Sequence, residues 1–407
     1  MNILVLNCGS SSIKYKLFDM PDGGELAGGL LERIGEETSL LSHRAGGRKV
    51  RVEGEVADHR EGLKWVVEAL LHPEHGAIRD PSEIGAVGHR VVHGGERFTG
   101  SVPITPEVVE AIREFSSLAP LHNPPNLMGI QAAQELLPGV PQVAVFDTAF
   151  HGTMPRYAYL YAIPYEYYEK YRIRRYGFHG TSHRYVSMRA AEILGRPLKE
   201  LKLITCHLGN GCSVAAVQGG RSVDTSMGFT PLEGLVMGTR SGDIDPAIIP
   251  FLAKGEGLSA EEVERILNKR SGLLGLSGVS NDMREVERAA GEGEERAEIA
   301  LEVFAYRVKK YIGAYTAVLG GVDAVVFTGG IGENAYRMRE RICEGLEGLG
   351  IALDPERNRR TVGRKEGDIA REEARVRVLV VPTDEELLIA RDTLEIVGRA
   401  EGEGWKK

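Results

Sequence analysis

The feature that most constrains this chain is a pattern of three short strands that occurs twice. The first copy is an apolar stretch at residues 3–6, a Gly/Ser turn, residues 12–19 in which apolar and lysine side chains alternate, and a third strand after residue 24. The second copy starts about 200 residues later with LITC, HLGNG and SVAAV. Alternation at every second residue is typical of half-buried strands. The duplication predicts two similar domains, each presenting one Gly-rich loop to a shared cleft.

The rest of the chain alternates strand and helix patterns. Buried strands are predicted at residues 84–88 and 143–146, and a helix is predicted at 107–115. A long helix is predicted from about Glu294 to the Gly320-Gly321 pair, with a strand directly after it. These patterns predict an α/β protein. Its 407 residues favour two domains.

Composition limits the classes of function. The formal net charge of −8 argues against a nucleic-acid or anionic-membrane binder, so an anionic substrate would need locally concentrated Arg or Lys. No apolar run approaches the length of a membrane span, and the N-terminus lacks the layout of a secretory signal. The four cysteines show no zinc spacing, which predicts reduced thiols in a cytoplasmic protein.

The Gly-rich loops have two interpretations. The loop at residues 9–12 is either an ordinary hairpin turn or, with Lys14, a cradle of backbone N–H groups and hydroxyls around a phosphate. A P-loop is excluded because GxxxxGK[ST] is absent. A dinucleotide-binding fold is excluded because Gly330-Ile331-Gly332 is not followed by the third glycine of that motif. A protein kinase is excluded because neither HRD nor DFG occurs.

Longer stretches carry a resemblance to a known family. They are NCGSSSIKYKLFD, GHRVVHGG, HNPPN, FDTAFH, RRYGFHGTSH, HLGNGCSV, MGTRSGDIDP and PTDEE, which span residues 7 to 386, together with VVFTGGIGEN. The chain resembles the acetate kinase family, within the superfamily of actin, hexokinase and the Hsp70 ATPase. The resemblance implies duplicated actin-like (RNase H-like) ATPase domains, with mixed sheets flanked by helices around a central cleft. The expected domains are residues 1–150 plus about 385–407, and residues 151–384.

The resemblance also implies an activity: reversible, Mg²⁺-dependent, in-line transfer of the ATP γ-phosphoryl group to acetate, giving ADP and acetyl phosphate. Such a reaction joins two anions, and guanidinium groups can bind carboxylate or phosphate through two parallel hydrogen bonds. By resemblance, Arg90 binds acetate, Arg240 stabilises the transferring phosphoryl group, and His179 stabilises the transition state without forming phosphohistidine. Taken in isolation, either arginine would more often be a surface residue paired with a nearby acid. His183 is expected to be structural.

Asp147 follows a predicted strand at its carboxyl end, where ligands tend to lie in α/β sheets. The family treats this residue as an active-site acid or base. A small carboxylic acid is already ionised near neutral pH, so the attacking oxygen needs no base. Asp147 is therefore expected to be catalytic either as a base or by orienting Arg90 or a magnesium-bound water.

The resemblance implies that Asn7 and Glu385 are associated with magnesium. Mg²⁺ typically takes one or two protein carboxylates, several waters and the nucleotide's own oxygens. Mn²⁺ is a possible substitute. Glu386 remains an alternative, as does a purely structural role of Glu385 at a helix N-terminus.

The resemblance assigns the nucleotide and acetate sites to further segments. ATP or ADP is expected to contact Ser10, Ser12, Lys14, His207, Leu208, Gly209, Asn210, Gly211, Asp282, Met283, Arg284, Gly330, Ile331, Gly332, Glu333 and Asn334. Acetate is expected to contact Arg90 and a small apolar pocket of Val92, Leu121 and Pro231. Such a pocket discriminates weakly, since one methylene is worth only about 1–3 kcal/mol.

Two alternatives therefore remain: a propionate or other short-chain carboxylate kinase, and a non-catalytic actin-like nucleotide-binding protein. The second would leave Arg90, Asp147, His179 and Arg240 without a shared purpose. The resemblance further implies a homodimer, whereas the net charge argues against nucleic acid or a membrane as a partner.

Overall fold

The fold was analysed in a computed structural model that describes residues 1–402. Its strands are β1 (Asn2–Gly9), β2 (Ser12–Asp19), β3 (Gly24–Glu32), β4 (Ser39–Ala45), β5 (Arg48–Gly54), β6 (Ile84–Val91), β7 (Val102–Pro103), β8 (Gln142–Phe146), β9 (Lys202–Leu208), β10 (Cys212–Gln218), β11 (Arg221–Thr225), β12 (Ala324–Thr328), β13 (Gly367–Asp368) and β14 (Arg377–Val380).

Its helices are α1 (His59–Leu71), α2 (Pro106–Glu114), α3 (Asn123–Leu136), α4 (Arg156–Tyr159), α5 (Tyr165–Tyr171), α6 (Gly180–Leu194), α7 (Ile248–Glu256), α8 (Ala260–Lys269), α9 (Gly272–Ser277), α10 (Met283–Gly291), α11 (Glu295–Leu319), α12 (Gly329–Asn334), α13 (Tyr336–Cys343), α14 (Pro355–Arg360) and α15 (Glu385–Gly402).

The chain forms two compact units. Unit 1 is Met1–Gly152 together with the chain from Asp384 onward, and unit 2 is Thr153–Thr383. Each contains one mixed sheet. The sheet of unit 1 has the order β5-β4-β3-β2-β1-β6-β8-β7, and that of unit 2 has the order β11-β10-β9-β12-β14-β13.

Both sheets share a five-strand arrangement. In unit 1, β3, β2 and β1 are antiparallel neighbours, and β6 and β8 continue the sheet in parallel with β1. In unit 2, β11, β10 and β9 are antiparallel neighbours, and β12 and β14 continue in parallel with β9. The duplicated three-strand pattern and the actin-like fold class are therefore confirmed.

The sheet of unit 1 is covered on both faces. Leu4 and Leu6 of β1 pack in a core that includes residues of α1 and α3, whereas Ile3 and Val5 pack in a core with α15. This explains why residues 3–6 form a continuous apolar run rather than alternating with polar residues. In unit 2, α11 packs against β9 and β10, and its buried residues include Phe304, Val308 and Ile312.

His89, on β6, is buried with 2% of its surface exposed and lies 2.9 Å from Gln142 through its Nε2 atom and the amide Oε1. Burial lowers the pKa of His89 to about 4. Because the unfolded imidazole has a pKa near 6.5, the unfolded chain binds more protons as the pH falls from about 6.5 to about 4. Stability should therefore be lost in that window.

We expect His89→Gln to reduce this loss of stability between pH 6.5 and pH 4. The free energy of unfolding of the variant minus that of the parent should be higher at pH 4 than at pH 8. The increase should be up to about 3 kcal/mol. Urea unfolding at intervals from pH 8 to pH 4 measures this. Parallel curves for the two proteins would contradict the prediction.

Within residues 1–402, no helix is both long enough and apolar enough to cross a bilayer.

Candidate active site

In unit 1, Arg90 and Asp147 are brought together by two neighbouring parallel strands. Arg90 lies on β6 and Asp147 directly follows β8, whose carboxyl ends meet at one edge of the sheet. Arg90 Nη2 donates to Asp147 Oδ2 over 3.0 Å, and Asp147 is 1% exposed. Arg90 Nε is buried and forms no hydrogen bond with the described residues. Asp147 thus holds one side of the guanidinium, which favours the orienting role over that of a base.

The first turn of α15 supplies a second acid near this arginine. Glu385 Oε2 lies 3.9 Å from Arg90 Nε. Burial would lower the pKa of Arg90, but the charges of Asp147 and Glu385 raise it overall. Burial raises the pKa of Glu385 to about 7, and its neighbours Asp147 and Glu386 add to the rise against the opposing effect of Arg90. A partly dehydrated carboxylate beside one arginine is suited to gaining a further cation.

Glu386 has different surroundings from Glu385. Its carboxylate pairs with Lys14, and Lys16 Nζ lies 3.4 Å from Glu386 Oε2. Lys16 also contacts Asp384 Oδ1 at 3.0 Å and Glu25 Oε2 at 3.5 Å. Burial opposes ionisation of Glu386, yet the two lysines leave its pKa below the ordinary value. The negative charge of Glu386 is already balanced by two lysines, so Glu385 is the better candidate for a metal ligand.

The predicted first phosphate loop is the connection between β1 and β2. Asn7 is paired in register with Lys14, and Gly9 with Ser12, so Ser10 and Ser11 form the turn itself. These positions agree with a tight antiparallel turn. Their contact with nucleotide remains a prediction.

Two asparagines of the HNPPN stretch join the loops of unit 1, a role that sequence reasoning missed. Asn126 donates from Nδ2 to the Cys8 carbonyl over 2.7 Å and accepts from the Val92 N–H over 3.0 Å. Asn123 accepts from the His93 N–H over 3.0 Å and donates back to the His93 carbonyl over 3.0 Å. The motif was visible in the sequence, but only the fold shows what it ties together.

In unit 2, Gly211 brings Arg240 and His179 close together. A Cβ atom at Gly211 would lie 3.3 Å from His179 Nε2 and 3.6 Å from Arg240 Nη1. Both polar atoms therefore border the same point of the loop between β9 and β10. His179 itself has φ of +57°, a left-handed conformation that is costly for a non-glycine residue and that clusters at functional sites.

Arg240 has no carboxylate partner among residues 1–402. Its Nη1 donates to the Pro231 carbonyl over 3.1 Å and contacts Met237 Sδ at 3.3 Å. Burial lowers the pKa of Arg240 against the opposing effect of Cys212. A partly buried guanidinium held by neutral acceptors retains most of its donors for an anion.

The three histidines near this loop are connected. The His179 and His207 rings stack with centroids 4.3 Å apart. Ser213 Oγ lies 2.8 Å from both His179 Nδ1 and His183 Nε2, and His183 Nδ1 lies 2.7 Å from Thr205 Oγ1. His207 Nδ1 lies 2.8 Å from Ser182 Oγ. His183 is buried within these bonds, as a structural role predicts.

Unit 2 also contains a cleft of about 490 Å³, a size suited to a small-molecule ligand. Its lining includes many of the residues predicted to contact the nucleotide: Gly209, Asn210, Asp282, Met283, Arg284, Gly330, Ile331 and Asn334. Asn281, Glu287 and Ala335 complete it and were missed. Asn281 Nδ2 donates to Asn210 Oδ1 over 3.0 Å. A Cβ atom at Gly238 would lie 2.0 Å from that oxygen, so this arrangement requires glycine there.

Glu333 and Gly332 do not line this cleft. Glu333 Oε1 accepts from the backbone N–H groups of Gly329 (3.1 Å) and Thr383 (3.3 Å), and burial raises the pKa of Glu333. Its carboxylate therefore supports the loop that begins α12. A direct contact of Glu333 or Gly332 with nucleotide stays a prediction.

The candidates for the acetate pocket differ in exposure. Val92, in unit 1, is buried, whereas Leu121, also in unit 1, is 70% exposed. Pro231, in unit 2, is partly buried and its carbonyl binds Arg240. Within residues 1–402, no group of three or more His, Cys, Asp or Glu side chains is arranged to hold a metal ion.

Comparisons with known proteins place the whole chain among acetate kinases. The acetate kinase of Thermotoga maritima is 63% identical over 398 residues, which cover 98% of this chain and 99% of that protein. The acetate kinase of Caldanaerobacter subterraneus subsp. tengcongensis is 62% identical over 399 residues, with the same two coverages.

Solved structures give the same result. The crystal structure of Porphyromonas gingivalis acetate kinase matches with a TM-score of 0.94 at 52% identity, over 97% of this chain and 99% of that one. A propionate kinase from Francisella tularensis subsp. tularensis SCHU S4 matches with a TM-score of 0.90 at 44% identity, with the same coverage. The model of the acetokinase family matches residues 2–391, nearly the full length of both units. The chain therefore belongs to the acetokinase family.

Proposed function

We propose that this protein transfers the γ-phosphoryl group of ATP to acetate, reversibly, giving ADP and acetyl phosphate. The observation that carries the proposal is Arg240, a partly buried guanidinium with no carboxylate partner in residues 1–402, beside His179 Nε2 at Gly211. Relatives more than 60% identical over nearly their whole length are named acetate kinase.

In this proposal, a carboxylate oxygen of acetate attacks the γ-phosphorus directly as the bond to the ADP oxygen breaks. Acetate is already ionised, so no proton has to move. Arg240 and His179 stabilise charge on the equatorial oxygens of the phosphoryl group. Arg90 binds the acetate carboxylate, and Asp147 positions Arg90 through their 3.0 Å hydrogen bond.

The adenosine part of ATP is assigned to the cleft lined by α10 and α12, and the phosphates to the Gly-rich loops after β1 and β9. Asn7 and Glu385 would hold Mg²⁺, or Mn²⁺ in its place. These residues fit such an ion because carboxylate and amide oxygens suit it and Mg²⁺ takes few protein ligands, its remaining ligands being waters and phosphates. When bound, the ion would neutralise charge on the nucleotide phosphates.

The two neighbouring glutamates should respond differently to substitution. We expect Glu385→Gln to raise the Mg²⁺ concentration for half-maximal activity at least tenfold, because it removes one charged ligand. Glu386→Gln is the matched control, since it leaves Lys14 and Lys16 with one acid fewer and should change that concentration less than threefold. Titration of activity with Mg²⁺ at saturating ATP measures both. A larger shift for Glu386→Gln would assign the metal to Glu386.

The second candidate is a propionate kinase, favoured by the 44% identity to a solved propionate kinase. Incubation with ATP, Mg²⁺ and a panel of carboxylates, with acyl phosphates trapped as hydroxamates, separates the two. Preferential formation of acetyl hydroxamate supports acetate as the substrate. Preference for propionate keeps the mechanism and changes the substrate. No hydroxamate from any acid would favour a non-catalytic nucleotide-binding protein.

A homodimer and a cytoplasmic location are part of the same proposal. Helix α7 has no buried residue, although Ile248, Ile249 and Phe251 are apolar, which suits a face covered by a second copy. Light scattering of the purified chain tests this. The four cysteines are free and buried, as suits a reducing compartment.

A further inference from the structure

We propose that Ser213 is a positioning residue that sets the tautomer of His179, through a one-directional hydrogen-bond chain from Thr205 and His183. The inference rests on the proposed function, in which His179 faces the phosphoryl group. It assigns to the neutral His179 ring an N–H donor at Nε2.

The hydrogen-bond chain consists of three short bonds in the interior of unit 2. Thr205 Oγ1 lies 2.7 Å from His183 Nδ1, His183 Nε2 lies 2.8 Å from Ser213 Oγ, and Ser213 Oγ lies 2.8 Å from His179 Nδ1. Thr205, His183 and Ser213 are completely buried. Thr205 is on β9 and Ser213 is on β10, so the antiparallel pair of strands fixes both hydroxyls.

The donor-to-acceptor direction of these hydrogen bonds follows from the bond at Thr205. His183 Nδ1 is the partner of the Thr205 hydroxyl, and a hydroxyl has one hydrogen to donate. If His183 Nδ1 carried a hydrogen, the Thr205 hydroxyl hydrogen would be buried without an acceptor among residues 1–402. Leaving a buried donor unsatisfied costs about 1–3 kcal/mol. Thr205 therefore donates to His183 Nδ1.

Each later bond then has one direction. A completely buried imidazole favours its neutral form, which has a single N–H. Since Nδ1 of His183 accepts, its hydrogen is on Nε2 and is donated to Ser213 Oγ. The single hydrogen of Ser213 is then donated to His179 Nδ1. Neutral His179 must carry its own hydrogen on Nε2, the atom that borders Gly211 beside Arg240.

This arrangement has a catalytic consequence. A neutral imidazole whose N–H already faces the site can donate to a developing negative charge without first taking up a proton. The preset donor needs no reorganisation when charge develops. Ser213 acts only through His179 and does not itself contact the substrate.

Neutron diffraction from a crystal of the deuterium-exchanged full-length protein at pH 8 tests the tautomer directly. We expect deuterium on Nε2 and not on Nδ1 of His179, and deuterium on Ser213 Oγ pointing to His179. Deuterium on His179 Nδ1, alone or on both nitrogens, would overturn the proposal.

Kinetics of variants give an independent test. Ser213→Ala should lower kcat by about 10- to 100-fold with less than a threefold change in KM for ATP, and Ser213→Thr, which keeps a hydroxyl, should recover at least half of that loss on a logarithmic scale. The matched control is Ser187→Ala, which removes another buried hydroxyl, bonded to the His183 carbonyl over 2.7 Å but to no ring nitrogen. It should retain kcat within threefold.

Equal losses in Ser213→Ala and Ser187→Ala would overturn the positioning role. Absence of any carboxylate kinase activity in the parent protein would reject the proposed function, whereas the neutron result would still decide the direction of the chain.

Discussion

Replacing Arg240 with alanine is expected to lower kcat by about a thousandfold or more without lowering the free energy of unfolding. A thousandfold loss corresponds to about 4 kcal/mol of transition-state stabilisation. The guanidinium is partly buried, and its recorded partners are the Pro231 carbonyl and Met237 Sδ. Burial already lowers the pKa of Arg240, which means that the charged guanidinium destabilises the folded state. Removing the charge relieves that cost.

Loss of activity with unchanged stability is the signature of a residue kept for chemistry rather than folding. Hydroxamate assays give kcat, and urea unfolding gives the free energy. Arg240→Lys should lower kcat by about 10- to 100-fold, because lysine keeps the charge but lacks the planar fork that makes two parallel hydrogen bonds to a phosphoryl group. Arg221→Ala, an exposed arginine on β11, is the control and should change neither quantity. A large loss of stability in Arg240→Ala would indicate a structural role.

The fold was predictable because the sequence repeats its own pattern. The apolar run at residues 3–6 and the alternation at residues 12–19 predict adjacent strands, and the same features recur at LITC and SVAAV. The helix from about Glu294 was predicted to within one residue of α11 because its apolar spacing is long and ends at Gly320-Gly321. The packing of α15 against β1 was harder to predict from the sequence, because the residues in contact lie more than 380 positions apart.

The candidate site shows the same limit more sharply. Family resemblance pointed to Arg90 and Asp147, which do form an ion pair. It could not separate Glu385 from Glu386, because two neighbours in one helix turn differ only in what each side chain meets. Lys14 and Lys16 meet Glu386, and that pairing depends on how β2 and α15 pack. Ser213 lies in the HLGNGCSV stretch, but nothing in the sequence assigned it an individual role, because one serine in a strand resembles any other until the register with β9 is known.

Arg339 is another residue that only the structure brings out. It is fully buried on α13 and has no carboxylate partner among the described residues; burial lowers its pKa to about 10. Nε donates to Asn358 Oδ1 over 2.7 Å, and Nη2 donates to the Asn358 and Thr361 carbonyls over 2.8 Å. Nη1 donates to the carbonyls of Gly332 (2.8 Å) and Glu333 (2.9 Å) at the end of α12.

We therefore expect Arg339→Met to lower the free energy of unfolding by about 3–5 kcal/mol, the range for breaking a buried polar network. Methionine fills a similar volume, so the loss would come from carbonyls left without donors rather than from a cavity. Because α12 lines the candidate adenosine cleft, the Kd for ADP should also rise at least tenfold. Urea unfolding and calorimetric titration with ADP measure the two effects.

Arg337→Met, two residues earlier on the same helix, is the matched control because Arg337 is exposed. It should change stability by less than about 0.5 kcal/mol, as is usual for surface substitutions. Arg339→Lys separates charge from geometry: one ammonium cannot reach acceptors on both α12 and the segment at residues 358–361, so most of the loss should remain. Full stability in Arg339→Lys would mean that the buried charge, and not the fork of donors, holds α12 in place.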